Sequence, residues 1–535
     1  MQTYALTIDK FLDHAAKWFP QREVVTAELD GRSSRSTYAC VRDRGRRLSG
    51  ALTTLGLGFG DRIGTLAWNT QHHLEMYYAA MGSGLVCHTL NPRLTAEHLA
   101  GMVNEAEDRV LAVSANLAAL TTQLLPLCPL LQHVIVMDDS PDVAFPGGRA
   151  KVWAYEDLLE THGFAMDWGG FPEETPAGLC YTSGTTGRPK GVLYTHRSNY
   201  LHTLRALQAD AFAFQARDVV LAAVPMFHAN GWGIPFAAPA VGATLVLPGR
   251  HTDGASLARL MRAEKVTVAV GVQTVWLGLV DHLQASGETL PDLERVTIGG
   301  SSCPEALIAR LETGLGAAVQ TSWGMTELSP LGTVSPAFSG IAGPGAGRPA
   351  MGVDLLLTDR DGAALPEQRG IVGHLKVKGP SVIDRYFKAD DEALDANGWF
   401  DTGDLATIDP AGNLTICGRS KDLIKSGGEW INPADIEAII GRDPAVAQVA
   451  VIARSHPKWG ERPVLIVEPQ QGQSVDAAIL INRLRGQVAA WWLPDEVIQL
   501  NAMPLAATGK IDKMRLRSDF GGASLFGDAP EAETP

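Results

Sequence analysis

Short, fully apolar runs alternate with segments of helical spacing through most of this chain. Val219–Val224 (VVLAAV), Ala243–Leu247 (ATLVL), Val266–Val270 (VTVAV) and Val296–Ile298 (VTI) read as buried strands. Helical stretches such as Ser256–Glu264 lie between them. Strands that are apolar at every position must be covered on both faces, and intervening helices supply the cover. The expected fold is therefore α/β, built on sheets rich in parallel pairs. At 535 residues the chain exceeds one compact domain.

Composition narrows the classes of function. Apolar residues make up 45% and charged residues 19%, which is globular rather than disordered. The net charge of −14 argues against a nucleic-acid binder. Six scattered cysteines (Cys40, Cys87, Cys128, Cys180, Cys303, Cys417) form no CxxC pair, so neither a zinc site nor a disulfide framework is expected. They suit a reducing cytoplasmic setting.

Near the N-terminus, Ile8, Phe11, Leu12 and Ala15 fall at helical spacing, with Thr7 as the candidate N-cap. Charges interrupt the segment too early for a signal peptide. The longest apolar run, Gly233–Gly249, carries three prolines and is too short to span a membrane, so no integral membrane segment is expected.

The C-terminal part changes character. Asn432 and Pro433 open a helix to Ile440. Val446–Ala453 and Pro463–Val467 read as strands, and Val475–Ala490 as a helix. Residues 521–535, rich in Gly, Ala, Pro and acid, read as a disordered tail.

The most informative segment is Tyr181–Gly191, YTSGTTGRPKG. Ser183, Thr185 and Thr186 lie among Gly184 and Gly187, with Lys190 beside them. Glycines let backbone N–H groups approach an anion, hydroxyls add donors, and lysine adds charge. That combination suits a polyphosphate, and the spacing is not that of a Walker A loop. The apolar Ala177–Cys180 before it reads as a strand end.

This loop resembles the signature of the adenylate-forming superfamily, which includes acyl-CoA synthetases, luciferases and peptide-synthetase adenylation domains. The likeness recurs in family order at Gly299–Ser302 (GGSS), Thr321–Glu327 (TSWGMTE), Gly398–Leu405 (GWFDTGDL), Gly418–Glu429 (GRSKDLIKSGGE) and Pro504–Lys510 (PLAATGK). It implies a large N-terminal domain over residues 1–418 with a β-barrel-like subdomain, a hinge at 419–421 centred on Lys421, and a small mobile α+β domain over 422–520.

The resemblance also implies chemistry in two halves. A carboxylate attacks the α-phosphate of ATP to give an acyl-adenylate and pyrophosphate; a thiol then displaces AMP. Thr182, Ser183, Gly184, Thr185, Thr186, Gly187 and Lys190 would hold the phosphates. Gly300, Ser301, Ser322 and Trp323 would form the adenine site, Trp323 by stacking. Thr326 would contact the α-phosphate. Glu327, with Thr182, would ligate Mg2+, which favours few carboxylates plus phosphate oxygens. Asp404 and Arg419 would take the ribose. Lys425 and Trp430 would approach the adenylate, and Gly427 and Gly428 the pantetheine arm of coenzyme A. Lys510 would stabilise the first step as a compact point charge.

Pro225–Gly233 (PMFHANGWG) would border the acyl pocket through His228, Ala229 and Trp232, completed by Gly300, Gly324 and Met325. His228 would stand between carboxylate and thiol. Trp232 matches a gating tryptophan of long-chain fatty acyl-CoA synthetases. Amino-acid-activating members carry an Asp in this stretch; none stands here, and an unpaired ammonium in an apolar pocket would be penalised. The reading is an AMP-forming synthetase acting on a medium- or long-chain fatty acid, with an aryl acid, 3-methylthiopropionate or loading of a carrier protein as alternatives. Too few residues follow Lys510 for a fused carrier domain, which favours coenzyme A. A luciferase-type oxidase and a non-catalytic nucleotide sensor are rivals, the latter opposed by the presence of Glu327 and Lys510. A serine hydrolase is opposed by the lack of a G-x-S-x-G elbow. A homodimer is left open.

Overall fold

The computed structural model describes residues 1–28, 31–138, 145, 148–182, 189–300, 303, 305–336, 345–427, 429–470, 472–506 and 511–522. Two compact units divide the chain. One comprises Met1–Leu355, Val377–Phe400 and Gly412–Leu414; the other takes Leu356–Lys376, Asp401–Ala411 and the chain from Thr415 onward. Packing thus groups the DTGDL stretch, and residues 419–421, with the second unit.

The first unit holds two sheets. The seven-stranded sheet runs Lys151–Ala154, His133–Met137, Val110–Ser114, Arg62–Leu66, Val86–Leu90, Pro176–Thr182, Lys190–Thr195. All its pairs are parallel except the last, an antiparallel hairpin. The nine-stranded sheet carries a parallel run from Ala318–Gly324 through Arg295–Gly299, Val268–Val272, Val219–Ala222 and Thr244–Leu247 to Glu23–Ala27, with antiparallel strands at both edges. The expected buried strands are all present, with ends within two residues of those expected.

Alternation along these strands sorts their side chains between layers. Val110, Ala112, Val220, Ala222, Val268 and Val270 enter one core with residues of both sheets and of the helices Asp9–Trp18, Tyr38–Thr54 and Gln71–Gly82. Their neighbours Leu111 and Val113 face the helix Ala96–Ala106. Leu221, Ala269, Val296 and Ile298 face the helices Gly254–Ala263, Gln273–Ser286 and Glu305–Leu315. Helices therefore cover both faces of each sheet, as all-apolar strands require.

The N-terminal helix buries Ile8, Phe11, Leu12 and Ala15, but Thr7 is not its N-cap. Ile8 occupies that position without a side-chain bond. The Thr7 hydroxyl instead accepts a bond of 2.7 Å from Lys10 Nζ.

The expected β-barrel-like piece is an open four-stranded sheet, ordered Asp354–Thr358, Val372–Lys378, Phe400–Ile408, Leu414–Arg419. Four strands curve too little to close on themselves. In the second unit, the long hairpin Val446–His456 with Gly460–Pro469 pairs with Ile424–Ser426 and, in parallel, with Glu496–Gln499. Asn432 caps the helix Pro433–Ile440 by accepting from the Ala434 N–H. The helix read over Val475–Ala490 is only Ala477–Leu484. It stops because Arg485, its C-cap, turns to extended backbone at φ −60° and ψ 127°. Residues 523–535 of the expected tail lie outside the described residues. Among the described residues, no helix is long and apolar enough to cross a membrane.

Candidate functional site

The strand Pro176–Thr182 is buried from Ala177 to Cys180 and emerges at Tyr181 and Thr182. Its return partner begins at Lys190, which stands opposite Thr182 in the ladder. The two therefore hold the two ends of the glycine-rich connection. Ser183, Gly184, Thr185, Thr186 and Gly187 fall outside the described residues, as do Ser301, Gly428 and Lys510.

The same strand packs against the Thr326–Leu328 turn. Thr326 and Glu327 are 8% and 7% exposed. Tyr194, on the return strand, donates its hydroxyl to the Thr326 carbonyl at 2.8 Å. The Tyr386 hydroxyl donates to Glu327 Oε1 at 2.9 Å. Burial, then the Glu327 charge, raises the Tyr386 phenol above its ordinary pKa, so it remains a donor. Lys190 Nζ lies 4.6 Å from the Tyr386 ring centroid. One chain of contacts thus runs from Lys190 through Tyr386 to Glu327.

Trp323 is next to last in the strand Ala318–Gly324, with its ring against Gly332: a Cβ there would stand 2.5 Å from the indole. Ser322 donates to the Ile298 carbonyl at 3.0 Å. A Cβ on Gly299 would meet both Ser322 Oγ and Trp232 Cη2 at 2.7 Å. Ser322 and Trp232 thus converge on the strand end that leads into Gly300, itself at φ +87°. Gly324 backs onto the Pro330 carbonyl, where a Cβ would come within 2.2 Å, and the Met325 N–H donates to that carbonyl at 3.1 Å.

The stretch after His228 holds the least ordinary backbone. Ala229, Asn230, Gly231, Trp232 and Gly233 have φ of +45°, +53°, +59°, +54° and +74°. This is a turn of left-handed helix, buried throughout. Each non-glycine residue in that region costs about 1–2 kcal/mol. Such strain persists only where surroundings over-determine it, and it concentrates at functional sites. Here Asn230 accepts from the Cys180 thiol at 3.5 Å and donates to Asn199 at 3.5 Å.

The second unit carries its own cluster. Asp404, 2% exposed, pairs with Arg419: Nε to Oδ1 is 2.9 Å. Arg419 Nη1 also donates to the Thr402 carbonyl at 2.9 Å. Lys425 and Trp430 face each other across a hairpin, with Lys425 Nζ 5.6 Å from the ring and the Arg360 guanidinium 5.3 Å from it. Gly427, at φ +61°, lies under the Trp459 indole, which a Cβ would meet at 2.8 Å. Lys421 lies in the short turn Ser420–Asp422. Tyr386, Tyr194, Asn230 and Arg360 were not singled out from sequence. Tyr386 lies 59 residues from Glu327, and nothing in its neighbours marks it.

Among the described residues no group of three or more His, Cys, Asp or Glu side chains could hold a metal ion. The oxygen donors of Glu327 and Thr182 fit a hard cation bound mainly by phosphate.

The AMP-binding enzyme family matches residues 12–387, and the AMP-binding enzyme C-terminal domain matches residues 435–510. A 3-methylmercaptopropionyl-CoA ligase of Ruegeria lacuscaerulensis is 43% identical over 97% of this chain and 98% of its own. A medium-chain-fatty-acid–CoA ligase of Ectopseudomonas oleovorans is 41% identical over 98% of each chain. The ATP-bound crystal structure of MatB from Rhodopseudomonas palustris superposes with a TM-score of 0.84 at 25% identity, covering 96% of this chain and 99% of that one. Fold, nucleotide-site pattern and end-to-end matches define an AMP-forming acid–thiol ligase. The chain belongs to the AMP-binding enzyme family.

Proposed function

We propose that this ligase converts a medium- or long-chain fatty acid, through its acyl-adenylate, to the acyl-CoA thioester with release of AMP and pyrophosphate. The observation that supports this acid class is the wall formed by Ala229–Gly233 and Gly299. It carries no charged side chain, and the Trp232 indole stands directly against Gly299. An amino-bearing acid would find no carboxylate there to pair its ammonium. His228, Gly300, Gly324 and Met325 complete the pocket in this reading.

The loop 183–187 with Lys190 holds the polyphosphate, Trp323 stacks on adenine, and Asp404 with Arg419 binds ribose. Thr326 contacts the α-phosphate and Lys510 stabilises charge in the first step. Mg2+ on Glu327 and Thr182 would neutralise phosphate charge. Lys421 serves as the hinge, and Gly427 and Gly428 admit pantetheine.

A second reading is favoured by the 3-methylmercaptopropionyl-CoA ligase relative, whose identity exceeds that of the medium-chain relative by little. A thioether is soft and close to a methylene in shape. 3-Methylthiopropionate has the heavy-atom chain of pentanoate, which makes that pair the discriminating comparison. Pyrophosphate release with ATP, Mg2+ and CoA is measured on acids from acetate to palmitate, with benzoate, cinnamate and 3-methylthiopropionate added. A CoA-dependent optimum between hexanoate and palmitate is expected. A preference of about tenfold or more for 3-methylthiopropionate over every straight acid, worth some 1.4 kcal/mol, would replace the fatty-acid reading with the second.

A further inference from the structure

The helix His196–Ala206 presents a buried polar face that none of the proposed roles uses. Asn199, His202 and Arg205 recur every three residues and are 1%, 1% and 4% exposed. Burying three polar side chains is costly unless each is engaged. Asn199 meets Asn230 in the left-handed turn. Arg205 Nη2 donates to the Leu328 carbonyl at 3.4 Å.

His202, between them, touches both site segments at once. Its Nε2 accepts the Leu331 backbone N–H at 3.2 Å. The ring's opposite edge lies against Gly233, where a Cβ would stand 2.8 Å from Cε1 and 2.9 Å from Nδ1. Burial, then the Arg205 charge, holds the His202 pKa well below its ordinary value. The ring is therefore neutral, and the bond at Nε2 places its hydrogen on Nδ1. That Nδ1 has no hydrogen-bond partner among the described residues.

Each edge of the ring leads to a proposed substrate wall. Gly233 closes the left-handed turn that carries Trp232. Leu331 opens the strand Leu331–Val334, whose Gly332 supports the Trp323 ring. We infer that His202 is a positioning residue that sets two walls separately: its ring edge at Cε1 and Nδ1 fixes Trp232 and with it the acid-length preference, and its Nε2 fixes the support of Trp323 and with it ATP affinity. This rests on reading Trp232 as the acyl wall.

The test uses two variants that divide the ring's functions. His202→Gln keeps an acceptor for the Leu331 N–H and removes the ring from Gly233. His202→Phe keeps a ring and removes the acceptor. Both are compared with Trp232→Ala by kcat/KM for pyrophosphate release across saturated acids, and by KM for ATP. His202→Gln should move the chain-length optimum while ATP KM stays within about twofold. His202→Phe should raise ATP KM about fivefold or more, because a buried N–H loses its partner, and should leave the optimum in place. In the Trp232→Ala background, His202→Gln should cause no further change in the profile, since coupled residues are not additive.

A uniform fall for every acid and for ATP in both variants would reduce His202 to a packing residue and overturn the inference. If His202→Phe does not fold, His202→Gln alone decides the acid arm. A profile unmoved by Trp232→Ala sinks the acyl-wall reading and the inference together. A profile moved by Trp232→Ala but not by His202→Gln sinks only the inference.

Discussion

Removing one hydroxyl, by Tyr386→Phe, tests whether Glu327 is the carboxylate that matters for the first half-reaction. The Tyr386 hydroxyl donates to Glu327 Oε1 at 2.9 Å, and Glu327 is only 7% exposed. Little water can reach the carboxylate to replace the lost donor. A hydrogen bond to a charged group contributes about 1.5–3 kcal/mol. At about 1.4 kcal/mol per tenfold, the carboxylate should be misaligned at an equilibrium cost of roughly 10- to 150-fold. Phenylalanine keeps the ring beneath Lys190, so the cation–π contact survives. The assay is pyrophosphate release as a function of Mg2+ concentration. The half-saturating Mg2+ concentration should rise by about tenfold or more, and thioester formation from preformed acyl-adenylate should be unchanged. A Mg2+ requirement within about threefold of the parent enzyme would refute the assignment of Glu327, because the perturbed group would then not report on the metal. Equal loss in both half-reactions would refute it differently, as general damage to the turn.

Gly332→Ala places a Cβ 2.5 Å from the Trp323 ring and must displace it; ATP KM should rise about tenfold while the acid profile holds, as read from initial rates. Arg419→Ala leaves the nearly buried Asp404 carboxylate without its guanidinium, so ATP binding measured by calorimetry should weaken about tenfold or more, with Arg419→Lys recovering only part. The last expected outcome concerns stability and pH. Burial lowers the His72 pKa, but hydrogen bonds to Asp138 and Glu156 and the charge of Glu75 outweigh it and lift the value to about 10. The folded state therefore keeps a proton that the unfolded state releases near the ordinary value of about 6.5. That contribution to stability is complete below the unfolded value and is lost as pH rises toward the folded one. The melting temperature should fall between neutral pH and pH about 10, and His72→Gln should flatten the slope; an unchanged slope would exclude His72 as its source.

What could be read in the residues follows the range of the interactions. The strand that enters the glycine-rich connection was legible because its signal is local, the apolar run Ala177–Cys180. The capped helix at Asn432 was legible for the same reason. The Asp404–Arg419 pair was foreseen as two neighbouring ribose contacts, but only the fold brings Nε to 2.9 Å from the carboxylate. Tyr386 is invisible locally, since its role depends on a contact 59 residues away. The left-handed turn at Ala229–Gly233 also escapes periodicity. Only two of its five residues are glycines, and alanine and tryptophan disfavour positive φ. The helix read over Val475–Ala490 overruns because apolar spacing continues past Arg485, where the backbone turns extended. The barrel expectation came from resemblance, and a four-stranded open sheet stands in its place.

In the proposed reading, the first unit joins an anionic and an apolar requirement through one strand. Pro176–Thr182 packs against both the Thr326–Leu328 turn and the Ala229–Gly233 turn. Its Cys180 thiol donates to Asn230, and Gly178 leaves room for the Asn230 amide, which a Cβ would meet at 3.0 Å. The strand's C-terminal end opens directly into the glycine-rich loop. A displacement of this strand would therefore disturb the Glu327 turn and the Trp232 turn together. Adenylation needs the carboxylate oxygen and the α-phosphate held in one geometry, and small misplacements are expensive. In the proposed reading, one strand, buried from Ala177 to Cys180, braces the turns on both sides of that geometry. Strain in the left-handed turn can then be borne locally, because Asn230, Gly233 and the strand beneath it fix the turn from three sides.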